Sequence, residues 1–366
     1  MMILYLIILC LVSLFTKITN CVLSLSLLTL LHYSVDMKHI LYILLLSVLA
    51  ISCKKENPQP NENVTTEPPS SSSFSIIYTT SNSGLLSNMI NNIDASTSLI
   101  SIATDFGYTT FDGSNWTTLT TSNSNLPSDI INTVKVDGAI TWIGTDNGLV
   151  KFDGTTMTTY NIVNSSIPSN KIRSLAIDLN GDLWIGTFTG GGLARFDGTN
   201  WSVYTPGNST LPNNSVSTVA TDNLGNIWAG TANGVSMFDG ATFTNYSIAN
   251  SPLPNNSVYS ISIDNNNLKW IGSNGGVTSF DGFNWQTYNM QNSNLPLDLV
   301  RSVTVENNNL WIGMAGQGSS LFDTSTNSWT NYNTNNSNLQ NNYINNVSIA
   351  SDNKKWLSTE NGIVIK

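Results

Sequence analysis

The sequence predicts an all-β fold, a seven-bladed β-propeller with four antiparallel strands in each blade. First, a loop of the form Asn-Ser-x-Leu-Pro recurs seven times, 41 to 44 residues apart. Second, each interval contains four short runs of alternating hydrophobicity separated by turn residues. Third, a motif close to Trp-Ile-Gly-Thr recurs within the second run of six of the seven copies. Four strands in every 42 residues or so is typical of propeller blades, whose small sheets pack around a central axis. The loops begin at Asn82, Asn123, Asn164, Asn208, Asn250, Asn292 and Asn336.

The copy that begins at Lys171 shows the four strands in order. We predict strands at residues 172–178, 183–187, 193–196 and 200–204. The pairs Asn180-Gly181 and Asp197-Gly198 are typical hairpin turns between them. The stretch 178–182, Asp-Leu-Asn-Gly-Asp, hints at a calcium loop, but it lacks the remaining ligands of the twelve-residue set. We therefore favour a hairpin turn there.

Two aromatic motifs recur at fixed positions of the blade, and fixed spacing favours packing over ligand binding. We predict that the tryptophans of the second strand are core residues and that the following glycine permits close approach between sheets. The aspartate of the recurring Phe-Asp-Gly is interpreted as a turn residue. The fourth-strand aromatics Trp116, Trp201, Trp285 and Trp329 are expected to be packed but partly exposed. The second-strand positions are Ser101, Trp142, Trp184, Trp228, Trp270, Trp311 and Trp356, and the phenylalanines are Phe111, Phe152, Phe196, Phe238, Phe280 and Phe322.

The two ends of the repeat region complement each other. The last copy stops at residues 361–366, after its third strand, whereas residues 74–83 align with fourth strands because Tyr78 precedes Asn82 as Tyr204 precedes Asn208. We expect the N-terminal strand to complete the seventh blade, which would cover an exposed sheet edge.

The Asn-Ser-x-Leu-Pro loop is then the crossover from the outer strand of one blade to the inner strand of the next. We expect its Leu or Ile to fill the gap between blades and the Asn or Asp three residues later to bond nearby backbone. The aliphatic positions are Leu85, Leu126, Ile167, Leu211, Leu253, Leu295 and Leu339, and the polar ones are Asn88, Asp129, Asn170, Asn214, Asn256, Asp298 and Asn342.

Composition excludes several functional classes. Only 10% of the residues are charged and the net charge is −9, without clustered Lys and Arg, so we expect no nucleic-acid partner. His32, His39, Cys10 and Cys21 all precede residue 53, so a chain processed there has no histidine and one cysteine. Histidine-based catalysis, His-containing metal sites and intramolecular disulfides are thus excluded for that chain, and we expect no cofactor.

Residues 37–53 resemble a bacterial lipoprotein signal, with a short basic start, an apolar run and small residues before Cys53. The resemblance implies lipidation of Cys53; a plain cleaved signal peptide or an uncleaved anchor is the alternative. Residues 1–36 fit poorly ahead of a complete signal, so we expect translation to start at Met37. Residues 54–73 have the composition of a disordered tether.

The order inner strand, Asp, turn, Leu-Trp-Ile-Gly-Thr, Asn-Gly-Leu and Phe-Asp resembles the two-component regulator propeller repeat across residues 74–366. In that family such propellers often form the periplasmic sensor half of membrane histidine kinases, many linked to glycan use in Bacteroidetes. The resemblance implies an extracytoplasmic protein, which the leader would anchor to a bacterial membrane, by expectation the outer one. No kinase segment follows the last blade in this sequence, so we expect that it cannot signal alone.

Functional residues are sought where the copies differ, on the face that carries the crossovers and the turns between second and third strands. One position past the start of each inner strand, the copies read Asn91, Asn132, Arg173, Ser217, Tyr259, Arg301 and Asn345. If these side chains face the channel mouth, the funnel suits a neutral or weakly anionic polar ligand such as a glycan. The alternative is that they only solvate a water-filled pore. The candidate ligand-binding residues are Asp105, Phe106, Tyr108, Asp146, Arg173, Phe188, Tyr259, Arg301, Gln317 and Glu360.

We therefore predict a monomeric, membrane-tethered binding or scaffolding module that recognises a glycan or a protein partner. The competing prediction is a carbohydrate-active enzyme, because carboxylate pairs cleave glycosidic bonds without histidine. Asp105, Asp146 and Glu360 would be its acids. No acid stands apart from a turn position, which favours the binding module.

Overall fold

The computed structural model describes residues 74–188 and 190–366, which form seven four-stranded antiparallel sheets. The predicted seven-bladed, all-β propeller is therefore confirmed. The predictions for residues 1–36, 37–53 and 54–73, including Cys53, lie outside the described residues. Within the described ranges, no helix has the length and apolarity needed to cross a membrane.

The strands are numbered in chain order, and each blade is a meander from an inner to an outer strand. The closing strand β1 is Ile76–Tyr78; blade 1 contains β2 (Ile90–Asp94), β3 (Ile100–Thr104), β4 (Gly107–Phe111) and β5 (Trp116–Leu119); blade 2 contains β6 (Ile131–Asp137), β7 (Ile140–Thr145), β8 (Gly148–Phe152) and β9 (Met157–Tyr160). Blade 3 contains β10 (Ile172–Ile177), β11 (Leu183–Thr187), β12 (Leu193–Phe196) and β13 (Trp201–Tyr204); blade 4 contains β14 (Val216–Thr221), β15 (Ile227–Thr231), β16 (Gly234–Phe238) and β17 (Phe243–Tyr246). Blade 5 contains β18 (Val258–Ile263), β19 (Lys269–Ser273), β20 (Gly276–Phe280) and β21 (Trp285–Tyr288); blade 6 contains β22 (Val300–Glu306), β23 (Asn309–Met314), β24 (Ser319–Asp323) and β25 (Ser328–Tyr332); blade 7 contains β26 (Ile344–Ile349), β27 (Lys355–Thr359), β28 (Gly362–Ile365) and β1.

In blade 3 the observed strands match the predicted ones to within one residue. Asp178 leaves the inner strand because its carboxylate accepts the N–H groups of Asn180 and Asp182, which builds the turn. Asp182 itself pairs with Arg195. The stretch 178–182 is thus a hairpin turn, and no group of three or more acidic, Cys or His residues suited to a metal occurs among residues 74–188 and 190–366.

Packing between blades depends on the second strand, as predicted. Its six tryptophans are buried, with exposures of 2 to 6%. The glycine two residues later lies against the first inner-strand residue of the next blade: a Cβ added to Gly144 would stand 2.6 Å from Ile172. At Gly144 a Cβ would therefore require Ile172 to shift.

An aromatic ladder forms the outer part of the blades. In five blades the third-strand phenylalanine packs against the fourth-strand aromatic with ring centroids 4.1 to 4.6 Å apart. The tyrosine that ends the preceding blade packs on the same aromatic, as Tyr246 does on Trp285 at 5.4 Å. Trp116, Trp201, Trp285 and Trp329 are half-buried, as expected. At the junction of blades 1 and 2, Leu119 and Met157 take the places of tyrosine and tryptophan.

The ring is closed by the N-terminal strand. Strand β1 pairs antiparallel with β28, with Ile76 opposite Ile365 and Tyr78 opposite Ile363. Just before it, Phe74 is 2% exposed and packs edge-on against Tyr332. The Asn338 side chain accepts the N–H of Phe74 and donates to its carbonyl. The predicted completion of the seventh blade is therefore confirmed.

Each crossover is held by its own Asn-Ser pair, a role that sequence reasoning missed. In the second crossover, Asn123 Oδ1 accepts the N–H of Thr120 and its Nδ2 donates to the carbonyl of Thr118. Ser124 Oγ donates to the carbonyl of Thr120. All seven crossovers repeat the bond from the asparagine Nδ2 to the carbonyl five residues earlier. The seven Leu or Ile residues that follow are buried, at 1 to 5% exposure, as predicted.

The Asn or Asp that ends each crossover accepts the N–H of the residue eight positions earlier in six of the seven copies. Asn214 is the exception, and its Oδ1 is buried without a hydrogen-bond partner. The residue eight positions earlier is Pro206, which has no N–H to donate.

A buried ion pair joins blades 4 and 5. Lys269 Nζ lies 3.5 Å from Asp222 Oδ2, with the two side chains 5% and 0% exposed. Asp222 also accepts hydrogen bonds from Trp228 Nε1 at 3.0 Å and from Asn226. Burial raises the pKa of Asp222, but these hydrogen bonds outweigh it and leave the pKa below its usual value. The carboxylate is thus held in its charged form.

Candidate functional site: the axial channel

The crossovers and the turns between second and third strands lie on one face of the ring, as expected. In every blade, the glycine that opens the third strand donates its N–H to the carbonyl of the Asn or Asp that ends the adjacent crossover. Gly107 thus bonds to Asp129 at 2.7 Å, and Gly362 bonds to Asn88 at the same distance. We call this side the crossover face.

Each inner strand contains a β-bulge at its second residue. In blade 3, for example, Ile172 pairs with Thr187 and Ser174 with Gly186, which leaves Arg173 unpaired between them. The same register shift occurs in the other six blades. A bulge leaves its extra residue outside the ladder and re-aims the side chain. The seven bulge residues are Asn91, Asn132, Arg173, Ser217, Tyr259, Arg301 and Asn345, the positions singled out in the sequence.

The bulge residues and the residues that follow them line an axial cavity of about 210 Å³. All fourteen lining side chains are polar. This volume corresponds to about seven water molecules at ~30 Å³ each. It is smaller than the roughly 300–1,000 Å³ of sites for drug-sized ligands, so it fits one sugar ring or one polar end group.

The residues that follow the bulges hold the wall of the channel together. In five blades the side chain of this residue accepts a backbone N–H from the inner strand of the next blade. Ser174 Oγ, for instance, accepts the N–H of Val219 at 2.9 Å. The wall is therefore a preorganised ring.

On one side of the channel, blades 7, 1 and 2 contribute asparagines whose amides already have partners. Asn345 Nδ2 donates to the carbonyl of Ile90 at 3.0 Å. Asn91 Nδ2 donates to the carbonyl of Ile131 and to Asp105 Oδ1. Asn132 Nδ2 donates to Asp146 Oδ1 at 2.9 Å. These amides are fixed parts of the wall.

The opposite side, from blades 3 to 6, carries Arg173, Ser217, Tyr259 and Arg301. The Arg301 guanidinium lies over the Tyr259 ring, 5.1 Å from its centroid. Solvent in the cavity reaches the Arg173 side chain, but protein surrounds it on most sides. The resulting desolvation lowers the pKa of Arg173. The charge of Arg301 lowers the pKa further, whereas Asp146 raises it. Two positive charges therefore face the same small cavity.

The remaining candidate residues divide into three groups. Asp105 and Asp146 lie beside the channel, since each accepts a hydrogen bond from a bulge asparagine, and Asp146 Oδ2 is also 3.7 Å from Lys171 Nζ. The turns of the crossover face carry four exposed residues, Phe106, Phe188, Gln317 and Glu360. Tyr108 does not belong to this face: it is 1% exposed, its hydroxyl is 3.1 Å from Ser101 Oγ, and its ring packs against Phe152 between blades 1 and 2.

The physical reason for the Tyr108 correction is strand alternation. Gly107 begins strand β4 and the side chain of Tyr108 points into the space between blades, where Ser101 stands in place of the usual tryptophan. Its ring fills the volume that this small residue leaves. Burial in turn raises the pKa of the Tyr108 hydroxyl.

The aspartates of Phe-Asp-Gly are turn residues, as predicted. Asp197, for example, accepts the N–H groups of Thr199 and Asn200. Hydrogen bonds of this kind lower the pKa of Asp112, Asp153, Asp197, Asp239 and Asp281. These carboxylates serve the turns on the face opposite to the crossovers.

The fold and this site define a seven-bladed propeller with a polar axial channel. Residues 166–189 and 210–233 match the family model described as two component regulator propeller. The resemblance inferred from the repeats is thereby confirmed for these two copies. No curated protein matches the sequence.

Solved structures with the same fold come from several functional classes. Two are extracellular domains assigned to hybrid two-component systems of B. thetaiotaomicron; both are 20% identical, with TM-scores of 0.65 and 0.66, and cover 77% and 80% of this chain but 39% of their own. PorZ, a surface component of the type-IX secretion system of Porphyromonas gingivalis, is 17% identical with a TM-score of 0.62, covering 77% of this chain and 47% of its own. Virginiamycin B lyase of Staphylococcus aureus is 14% identical with a TM-score of 0.62, covering 76% of this chain and 94% of its own. This chain thus spans less than half the length of the first three.

Proposed function

We propose that this chain is a membrane-tethered, extracytoplasmic binding or scaffolding propeller that recognises a glycan through the axial channel. The observation that carries the proposal is the ring of seven β-bulges. The blades are alike in their core, yet the bulges aim different polar side chains at one cavity. Such a preorganised, concave and polar wall suits a ligand that presents several hydroxyl groups.

The proposed location has separate support. The two similar domains from B. thetaiotaomicron are extracellular and PorZ is a surface component, and residues 37–53 have the pattern of a lipoprotein signal. Lipidation at Cys53 is tested by metabolic labelling with a fatty-acid analogue. We expect label in the wild type and none in Cys53→Ser. Equal labelling of both would contradict the proposed anchor.

The ligand is tested with a glycan array on the purified full chain. We expect retention without cleavage, and loss of retention when Tyr259 and Arg301 are replaced by serine and glutamine. Phe283→Ala, a change at a 91% exposed turn residue on the opposite face, is the matched control and retains binding. Retention that survives the channel variant would place the site elsewhere.

The same array separates the alternatives. Turnover that is lost in Asp105→Asn or Asp146→Asn would support the carbohydrate-active enzyme, because these acids lie beside the cavity. Neither retention nor turnover would favour a protein partner on the crossover face.

A further inference from the structure

We infer that the arginine side of the channel binds an anionic group, a carboxylate or a sulfate ester carried by the ligand. This inference rests on the proposed function, because it takes the axial cavity to be the binding site. It narrows the ligand from a polar glycan to one with a negative charge at the end that enters the channel.

The first argument is the placement of the arginines. The sequence contains three arginines in a chain of net charge −9, and two of them, Arg173 and Arg301, line this one cavity. The third, Arg195, is used structurally: its Nε donates to Asp182 at 2.7 Å. Two like charges that face one small cavity are unfavourable unless something compensates them.

The second argument is that the two channel arginines keep their hydrogen-bonding capacity. Among residues 74–188 and 190–366, neither guanidinium forms an ion pair within 4 Å. One face of the Arg301 guanidinium lies against the Tyr259 ring. This contact leaves the N–H groups at the edge of the guanidinium available for hydrogen bonds. A guanidinium with free N–H donors matches the geometry of carboxylate and sulfate oxygens.

The third argument is that the negative groups near the channel are already engaged on the other side. Asp105 accepts a hydrogen bond from Asn91, and Asp146 accepts one from Asn132 and pairs with Lys171. Asp146 offsets part of the charge of Arg173, but Arg301 has no such neighbour within 4 Å in the described ranges. The channel is thus divided into a neutralised half and a positive half.

The size of the cavity indicates how the anion is presented. A space of about 210 Å³ admits one acidic sugar ring or the acidic end of a longer chain. Ser217 lies between the two arginines in blade order and offers a hydroxyl to the same group. The probes are therefore D-glucuronate, neutral D-glucose and inorganic sulfate.

The experiment is calorimetric titration of the full chain, purified in mild detergent, with the three probes. We expect glucuronate to bind, with at least a tenfold loss of affinity in Arg173→Gln and in Arg301→Gln, and a weaker interaction at high salt. Arg301→Lys should keep part of the affinity because the charge remains. Lys354→Gln, which removes an exposed positive charge elsewhere in the ring, is the control and changes nothing.

Each outcome has a distinct meaning. If glucuronate binds and sulfate does not, the source of the anion is an acidic sugar. If sulfate also binds, and both arginine variants weaken it to the same degree, the site is supported with a free anion as its source. Glucose bound as tightly as glucuronate, with no effect of either arginine, overturns this inference and leaves the proposed function intact. Blank titrations together with a blank glycan array overturn both.

Discussion

The aromatic ladder and the channel wall are produced by the same seven repeats, yet they differ in how much the copies vary. On the ladder, five blades pair a third-strand phenylalanine with a fourth-strand Trp or Phe at 4.1 to 4.6 Å. On the channel wall, the seven bulge positions carry four residue types, Asn, Arg, Ser and Tyr. Blades that must fit identical neighbours need the same packing residues, whereas a side chain that faces water has no such constraint. Variation between copies therefore points to the surface where binding can be encoded.

The largest difference in stability is expected between two phenylalanine variants in blade 5. Phe280 belongs to the ladder, at 3% exposure and 4.1 Å from Trp285, whereas Phe283 lies on the next turn at 91% exposure. We expect Phe280→Ala to lower the free energy of unfolding by about 3–5 kcal/mol because it leaves a cavity. Phe283→Ala should change it by less than about 0.5 kcal/mol. Urea denaturation measures both; equal losses would refute the ladder as the main packing feature of the rim.

The Lys269–Asp222 pair tests whether burial, rather than repetition, decides the cost of a change. Glu306 and Lys355 form an ion pair at the same register between blades 6 and 7, but each of their side chains is 16% exposed, whereas those of Asp222 and Lys269 are 0% and 5% exposed. Asp222→Asn should cost about 3 kcal/mol because Lys269 is left without its counter-charge. The double variant with Lys269→Met should recover part of the loss. Asp352→Asn, at an exposed pair, should cost about 1 kcal/mol or less.

The same aspartate predicts a pH dependence. The folded-state pKa of Asp222 is below its ordinary value of about 3.9. Its contribution to stability is therefore fully present above that value and is lost as the pH falls towards the folded pKa. We expect the difference in unfolding free energy between the wild type and Asp222→Asn to shrink below about pH 4. A difference that is constant from pH 6 to pH 2 would contradict the assignment.

A smaller effect is expected at the end of the crossover, where blade 4 keeps the repeated asparagine but lacks its hydrogen bond to the N–H eight positions earlier. The Asn170 side chain accepts the N–H of Ile162 at 2.9 Å, whereas Asn214 Oδ1 accepts no hydrogen bond. We expect Asn170→Ala to cost about 1 kcal/mol more than Asn214→Ala, the value of one hydrogen bond. Thermal unfolding of the two variants provides the comparison, and indistinguishable melting temperatures would show that this bond contributes little.

The smallest expected effect concerns the channel. Arg173→Gln removes a charge that Arg301 disfavours and leaves the packed core untouched, so stability should rise by no more than about 0.5 kcal/mol. Any gain should decrease as salt screens the two charges. Denaturation at low and high salt measures it. A loss as large as that of Phe280→Ala would remove the distinction between wall and ladder.

Much of the fold could be predicted because each blade repeats the same sequence pattern. The strands of blade 3, the turn aspartates, the buried crossover Leu or Ile and the closing strand all follow from local pattern and alignment of the copies. The bulge could not be read from sequence, because a bulge and a regular strand start have the same alternation. The positions of its side chains were nevertheless found, since those are the places where the copies differ.

The errors and omissions have physical causes of their own. The sequence predicts Tyr108 on the crossover face because it follows a turn, but Ser101 leaves space that its ring fills. The Lys269–Asp222 pair was missed because it joins residues 47 positions apart in neighbouring blades. The division of the channel into an asparagine side and an arginine side required knowing which amides are already bonded.

Ring closure by strand β1 also sets the order of events during synthesis. Ser75 and Ile365 bond to each other although 290 positions separate them. Among the described strands, the first to be synthesised therefore pairs with the last, and all strands of blades 1 to 6 are synthesised between them. Contacts this distant in sequence slow folding, and unpaired edges invite association between nascent chains. Until β1 pairs with β28, the edge of β28 is therefore open to association with another nascent chain.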